Sequence, residues 1–75
     1  MSVKQIATLQ ERLIYALDAK NMTQSDLGRA IGVVRSSINK YVKGTAVPPL
    51  DKIHLMSDAL EVCVPWLLGY NVPMN

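Results

Sequence analysis

Between Thr23 and Gly44 the sequence reads Thr23-Gln24-Ser25-Asp26-Leu27-Gly28-Arg29-Ala30-Ile31-Gly32-Val33-Val34-Arg35-Ser36-Ser37-Ile38-Asn39-Lys40-Tyr41-Val42-Lys43-Gly44. This spacing predicts two short helices joined by a tight turn. Thr23 and Asp26 form the pattern of a capping box with Asp in place of Glu, so a helix should begin directly after Thr23. Gly32 should end that helix, because glycine readily adopts the left-handed conformation found at helix C-termini. A second helix should begin two residues later and end at Gly44.

The second helix of this pair is amphipathic. Apolar residues recur at helical spacing and predict a face toward the core, formed by Val34, Ile38, Tyr41 and Val42. The opposite side carries hydrogen-bonding and cationic side chains: Ser36, Asn39, Lys40 and Lys43, with Arg35 at its edge. A polar helix face is most often only solvated, so this pattern alone does not indicate recognition of a partner.

The distribution of charge is more informative than the net charge of +2. Residues 29–50 contain four basic residues and no acidic one, whereas residues 1–28 are balanced and residues 51–75 carry a net charge of −2. Positive charge is therefore concentrated on the turn and on the second helix, where a polyanion would need it.

The spaced residues between Thr23 and Gly44 resemble the Cro and phage-repressor helix-turn-helix family. The shared pattern is Thr-Gln, then Leu, Ile-Gly-Val, Ile, an aromatic residue and Gly at matching intervals. The resemblance continues through Val47-Pro48-Pro49-Leu50 and ends at Pro65-Trp66-Leu67-Leu68-Gly69, so it covers roughly residues 8 to 70. It implies an all-α fold: a compact five-helix, lambda-repressor-like DNA-binding domain with the helix-turn-helix at helices 2 and 3.

The rest of the chain supplies three further helices around this pair. Thr8 and Glu11 form a full capping box, which predicts a first helix that starts at Thr8 and ends at Lys20-Asn21, with an earlier start near Ser2 as the alternative. A fourth helix should span about residues 50–60, and Pro65 suits the first turn of a short final helix. We expect a single domain over residues 1–75, with residues 1–7 as an N-terminal extension and residues 71–75 as a C-terminal tail.

Composition argues against several other classes of protein. The 75 residues contain no apolar run of the roughly 18 residues that a membrane span needs and no leader pattern, so we expect a soluble, cytoplasmic protein. Cys63 is the only cysteine and should pack as a small hydrophobic residue. His54 is the only histidine and is better explained as a surface residue than as a ligand. We therefore expect no enzyme activity, metal, cofactor or small-molecule ligand.

Five residues are candidates for reading DNA bases. In the family that the chain resembles, base contacts come from the first residues of the recognition helix and from one about a turn later. Arg35 can bridge O6 and N7 of guanine, and Asn39 can do the same for N6 and N7 of adenine. Lys40 can donate to guanine, Ser36 suits several bases, and the methyl groups of Val34 can contact thymine. Val34 stands where the family usually has a Ser or Thr helix cap.

Six residues are candidates for phosphate contacts. Gln24 matches a family glutamine that meets a phosphate at the amino end of helix 2, where unpaired N–H groups favour an anion. Thr23 and Ser25 share this end of the helix. Lys43, Gly44 and Thr45 should meet phosphate on the other side and fix the orientation without reading sequence. Both lysines of the last turn also suit the negative end of the helix dipole.

The resemblance also implies a homodimer on double-stranded DNA. Relatives place two recognition helices in successive major grooves, about 34 Å apart, on a pseudo-palindromic operator. The candidate dimer surface is C-terminal and consists of Trp66, Leu67, Leu68 and Tyr70, although Trp66 and Leu67 suit the core equally well. The alternative is a protein-binding member of the same fold, such as an antitoxin or an anti-repressor.

Besides Val34, three positions depart from the common pattern. Many relatives carry Arg in the first helix and Glu after the aromatic residue, where this chain has Leu17 and Val42, so we expect an apolar contact in place of an ion pair. Gly28 stands where Ala is commoner and predicts a close approach between helices.

Overall fold

A computed structural model describes residues 3–75, and this part of the chain contains five helices and no strand longer than an isolated bridge. The helices are α1 (Leu9–Ala19), α2 (Gln24–Ile31), α3 (Arg35–Lys43), α4 (Leu50–Leu60) and α5 (Val64–Leu67). The predicted all-α, five-helix fold is confirmed. None of the helices described is long and apolar enough to cross a membrane.

Two helices begin with the capping boxes that the sequence predicts. At α1, Glu11 N–H donates to Thr8 Oγ1 over 3.2 Å, and Thr8 N–H donates to Glu11 Oε1 over 3.0 Å. At α2, the same exchange joins Thr23 and Asp26, with distances of 3.0 and 2.9 Å. Each box satisfies backbone donors that the helix itself leaves unpaired, so the start of each helix is fixed locally.

The turn between α2 and α3 is built on two glycines. Gly32 is left-handed, with φ at +72°, and Val33 N–H returns to the carbonyl of Gly28 over 2.9 Å. A Cβ atom at Gly28 would lie 2.5 Å from the carbonyl oxygen of Val33 and 3.6 Å from Cγ1 of Ile38. The predicted close approach is therefore present, but its tightest contact is with the backbone of the turn and not with a neighbouring helix.

The core lies where α1, α2, α3, α4 and α5 meet. Its buried apolar side chains are Leu13, Ala16, Leu17, Leu27, Ile31, Ile38, Ile53, Met56, Leu60, Trp66 and Leu67. Leu17 is buried in this cluster and Val42 packs against it, so both are apolar core contacts, as the sequence predicted. The sequence placed Val34 on the core face of the second helix of the pair, and this placement is wrong, since its side chain is 67% exposed.

The two ends of the chain are paired with each other. Gln5 and Tyr70 form an antiparallel bridge, and Ile6 N–H donates to the Gly69 carbonyl over 2.8 Å. Gly69 has φ at +100°, and a Cβ there would lie 2.0 Å from the Ala7 carbonyl oxygen. The segments expected as an extension and a tail are also joined, because Asn71 N–H donates to the Lys4 carbonyl over 2.8 Å.

The last residues also contact the body of the fold. Cys63 N–H donates to the Met74 carbonyl over 2.7 Å, and the Cys63 thiol lies 3.2 Å from the Pro73 carbonyl. Cys63 is partly buried against the core, as the sequence predicted, and His54 is exposed on α4.

Candidate nucleic-acid interface

The outer face of α3 is the site that the sequence predicted for reading bases. Ile38 is fully buried beneath it, which fixes how the helix is rotated about its own axis. As a result, four of the five candidate side chains are exposed and the fifth, Asn39, is partly buried; the exposed ones are Val34, Arg35, Ser36 and Lys40. The structure therefore leaves four of the five side chains accessible and the fifth partly accessible.

The amino end of α3 lacks a side-chain cap. Val34 occupies the N-cap position with extended backbone, and no side chain hydrogen-bonds to the first turn. The N–H groups of Ser37 and Ile38 donate to the Val34 carbonyl, over 3.0 and 3.3 Å. The N–H groups of Arg35 and Ser36 have no intrahelical acceptor and point out of the helix toward whatever meets this end.

The cations of this face are not neutralised within the chain. In residues 3–75, Arg35, Lys40 and Lys43 form no ion pair with an acidic side chain. Arg29 is different, because its guanidinium binds the carboxylate of Asp26 on the same helix. Residues 29–50 contain four basic residues, and three of these are unpaired in the described chain and lie on α3.

The pKa of Asp26 is lowered below its ordinary value. The main cause is the backbone hydrogen bond from Thr23, followed by the Thr23 side chain and then by the neighbouring Arg29. Asp26 therefore remains ionised at neutral pH, with its two oxygens already occupied by Thr23 and Arg29. Its negative charge is compensated locally and does not cancel the charge of α3.

The amino end of α2 presents donors on the same side of the molecule as α3. Thr23 Oγ1 is engaged by Asp26 N–H, so the backbone N–H groups left over here belong to Gln24 and Ser25. Gln24 is tied to the recognition helix, because Asn39 Nδ2 donates to Gln24 Oε1 over 3.2 Å. This hydrogen bond brings one predicted phosphate contact and one predicted base contact together, which the sequence did not indicate.

The carboxyl end of α3 forms a second exposed group. Gly44 is left-handed, with φ at +77°, and both the N–H and the hydroxyl of Thr45 approach the Lys40 carbonyl, at 3.0 and 3.4 Å. Lys43, Gly44 and Thr45 are all exposed. A Cβ at Gly44 would lie 3.1 Å from Gln10 Nε2, so the Gln10 carboxamide borders this group. No local sequence signal marks Gln10, because it meets Gly44 only in the folded chain.

The four residues predicted for a dimer surface differ in how far their side chains are buried. Trp66 is 8% exposed and Leu67 is fully buried, so both are core residues and neither is free to face a partner. Arg12 covers the outer side of Trp66, with its guanidinium 4.5 Å from the ring centre and 3.1 Å from the Trp66 carbonyl. Leu68 is partly exposed and Tyr70 is exposed, so the surface contains two of the four.

The region between α2 and α3 is an open cleft. It is lined by Ser25, Gly28, Arg29, Gly32, Val33, Val34 and Arg35. Its two arginines come from different helices, Arg29 from α2 and Arg35 from α3. Among residues 3–75, no cluster of three His, Cys, Asp or Glu side chains is arranged to hold a metal ion.

Comparison with known proteins identifies the relatives of this fold. A family model described as helix-turn-helix matches residues 13–67. The transcriptional repressor RstR of the cryptic phage CTXphi, from Vibrio cholerae, is 33% identical over 61 residues, which is 81% of this chain and 54% of that protein. The HTH-type transcriptional regulator YobD of Bacillus subtilis, itself uncharacterised, is 32% identical over 59 residues, which is 79% of this chain and 53% of that protein.

A solved structure has the same fold. The P22 c2 repressor in complex with a synthetic operator superimposes with a TM-score of 0.78, at 22% identity, over 83% of this chain and 94% of that one. The present chain spans about half the length of the curated relatives that it matches. The family predicted from the sequence is confirmed, and with it the placement of the helix-turn-helix at α2 and α3.

Proposed function

The chain belongs to the helix-turn-helix family, and from this premise we propose that it is a sequence-specific regulator of transcription that binds double-stranded DNA. The observation that carries the proposal is the exposed face of α3, on which three unpaired cations accompany polar side chains able to bond base edges. The matched relatives are named as a repressor and as a regulator of transcription, and neither name describes an enzyme.

The geometry suits a helix lying in the major groove. That groove is about 12 Å wide and accepts one α-helix, so α3 can enter with its buried side, at Ile38, turned away from the DNA. Arg35, Ser36 and Lys40 would then face base edges, and Val34 would offer its methyl groups to thymine. Asn39 is the fifth member of this set and lies nearest to α2.

Phosphate contacts would flank α3 on both sides. At one side are Thr23, Gln24 and Ser25, where the N–H groups of a helix terminus and the helix dipole favour an anion. At the other side are Lys43, Gly44 and Thr45, which combine a cation with an exposed glycine turn. Contacts of this kind set the register of the protein on the duplex without reading its sequence.

We further propose that the protein binds a pseudo-palindromic operator as a homodimer in the cytoplasm, where phage and bacterial DNA is found. One α3 contacts few base pairs, and two copies about 34 Å apart would read two half-sites in successive grooves. Leu68 and Tyr70 support such a contact, because they are the accessible apolar residues of the predicted C-terminal surface.

The experiment that tests DNA binding is selection of duplexes from a random pool, followed by measurement of affinity against salt concentration. A regulator of this kind should enrich a pseudo-palindromic site, and its affinity should fall steeply as salt rises, because bound phosphates release counterions. Enrichment of no site, together with affinity that hardly changes with salt, would instead favour a protein partner for the α3 face.

A matched pair of variants separates the effect of a cation at the proposed interface from the effect of the overall charge of the chain. Lys43→Ala removes an unpaired cation and should reduce the salt slope by about one. Lys20→Ala makes the same change in charge at a lysine already bound to Glu61, with Nζ and Oε1 2.8 Å apart, and should leave the slope unchanged.

A further inference from the structure

One side-chain hydrogen bond joins the two helices of the helix-turn-helix. Asn39 Nδ2, on α3, donates to Gln24 Oε1, on α2, over 3.2 Å, and both side chains are partly buried. Within residues 3–75 no other side-chain to side-chain hydrogen bond connects α2 with α3. The bond links residues 15 positions apart and lies at the edge of the proposed DNA surface.

From this bond we infer that Asn39 is a positioning residue, which orients the Gln24 carboxamide for a backbone phosphate and does not select a base. The inference rests on the proposed function and assigns Asn39 a different role from its neighbours on α3. It also makes the contact at the amino end of α2 depend on the recognition helix.

The polarity of the hydrogen bond carries the argument. A carboxamide has one acceptor oxygen and one NH₂ group with two donors. Because Gln24 Oε1 accepts from Asn39, the Gln24 NH₂ group, which donates to no other residue of the described chain, is left for an external acceptor. A phosphate has only acceptor oxygens, so it favours this orientation and opposes the reversed one, in which Oε1 would point toward negative charge.

The surroundings of Gln24 also favour an anion at the amino end of α2. Its own N–H and that of Ser25 are the unused backbone donors at the amino end of α2, and the positive end of the helix dipole lies there. The capping box between Thr23 and Asp26 fixes the backbone at this point. With the carboxamide held by Asn39, side-chain and backbone donors are ordered before an anion arrives, which lowers the entropic cost of binding.

Loss of this arrangement should weaken binding to every duplex alike. Asn39→Ala removes the donor and frees the Gln24 carboxamide to rotate, so affinity should fall roughly 3- to 10-fold, the value of one hydrogen bond between neutral groups. The base preferences recovered from a random pool should be unchanged. Gln24→Ala should cause a similar loss, and the double variant should lose little more, because Asn39 acts through Gln24.

The test is a double-mutant cycle at these two positions, measured on the duplex that the wild-type chain selects, together with a pool selection for each variant. Urea unfolding of each variant establishes the concentration of folded protein, so that a loss of stability is not counted as a loss of affinity. Ser36→Ala is the control for base reading and should change the preference at one position of the selected site.

The outcomes separate the inference from the proposed function. If Asn39→Ala alters the preferred base at one position, as Ser36→Ala does, Asn39 reads a base and the positioning role is wrong. Independent, additive losses from the two single variants would also overturn it. If the wild-type chain enriches no duplex at all, the proposed function fails first, and the Asn39 assignment falls with it.

Discussion

At the scale of single residues, α3 carries side chains that we propose read bases and side chains that we propose hold phosphate. Arg35 near its amino end and Lys43 in its last turn carry the same charge, and neither is paired with an acid in the described chain. We expect their roles to differ because Arg35 lies at the amino end of α3, on the face proposed to meet base edges, whereas Lys43 lies beside the exposed turn at Gly44.

Arg35→Ala should therefore cost about 1 to 3 kcal/mol of binding free energy at one base position of the selected site and relax the preference there. Lys43→Ala should lower the affinity for every duplex by a similar factor. Competition binding against a panel of single-base variants of the site measures both. Uniform effects on every duplex from both substitutions would remove the distinction between the two roles.

A second residue-scale prediction concerns the glycine inside α2. Helix propensity alone predicts that Gly28→Ala stabilises the chain by about 1 kcal/mol. We expect the opposite, a loss of about 1 to 3 kcal/mol, because the new Cβ would lie 2.5 Å from the backbone oxygen of Val33, which cannot rotate away.

Gly32→Ala is the matched control for that change. A Cβ at Gly32 meets nothing within 4 Å, so its cost should come only from the left-handed φ of +72°, about 1 to 2 kcal/mol. Urea unfolding of both variants separates crowding from backbone strain. A stabilised Gly28→Ala variant would show that the turn moves aside without cost.

At the scale of the helices, much of the arrangement was predictable because its causes are local. The capping boxes at Thr8 and Thr23 are read within four residues of sequence, and both helices begin where those boxes predict. Gly32 and Gly44 end α2 and α3 for an equally local reason, the left-handed conformation at each. Val34 was predicted to lie on the core face, yet as N-cap it precedes the helix and turns outward.

The capping box of α2 also predicts how stability depends on pH. The pKa of Asp26 is lowered in the folded chain, chiefly by the backbone hydrogen bond from Thr23. The unfolded chain therefore binds a proton more readily in acid, so the stabilisation is present above the ordinary pKa of 3.8 and is lost as pH falls through the lowered value.

Asp26→Asn should remove this contribution, so that the variant is less stable than the wild type at pH 7 and approaches it in strong acid. Urea unfolding between pH 7 and pH 2 measures the difference. Glu61 has a pKa lowered by its hydrogen bond to Lys20 and should keep a residual acid dependence in the variant. A constant difference between the two proteins at every pH would contradict the assignment.

At the scale of the whole molecule, the contacts that the sequence did not predict are those between distant residues. Asn39 bonds Gln24, Gln10 borders Gly44, and the segment around Gln5 pairs with Tyr70. None leaves a local pattern, because each depends on how the helices pack. Trp66 shows the same limit: its apolar character suits a core or a dimer surface, and only the packing of Arg12 over its ring decides between them.

The proposed dimer can be tested at the C-terminal surface. Leu68→Glu places a charge on the partly exposed apolar side chain there and should shift the chain toward monomer, as measured by sedimentation. Leu55→Glu makes the same change on α4, where the leucine is 41% exposed, and should leave the mass unchanged. Equal masses for the wild type and both variants would count against a dimer through this surface.

Whether the exposed face of α3 meets DNA can be measured from the amide chemical shifts of the labelled chain, titrated with its selected duplex. We expect the largest shift changes at Gln24, Ser25 and residues 34–45, and small ones at Lys20 and Glu61, which lie at the carboxyl ends of α1 and α4. Shifts confined to α4, α5 or the paired chain ends, with α3 unaffected, would contradict this expectation.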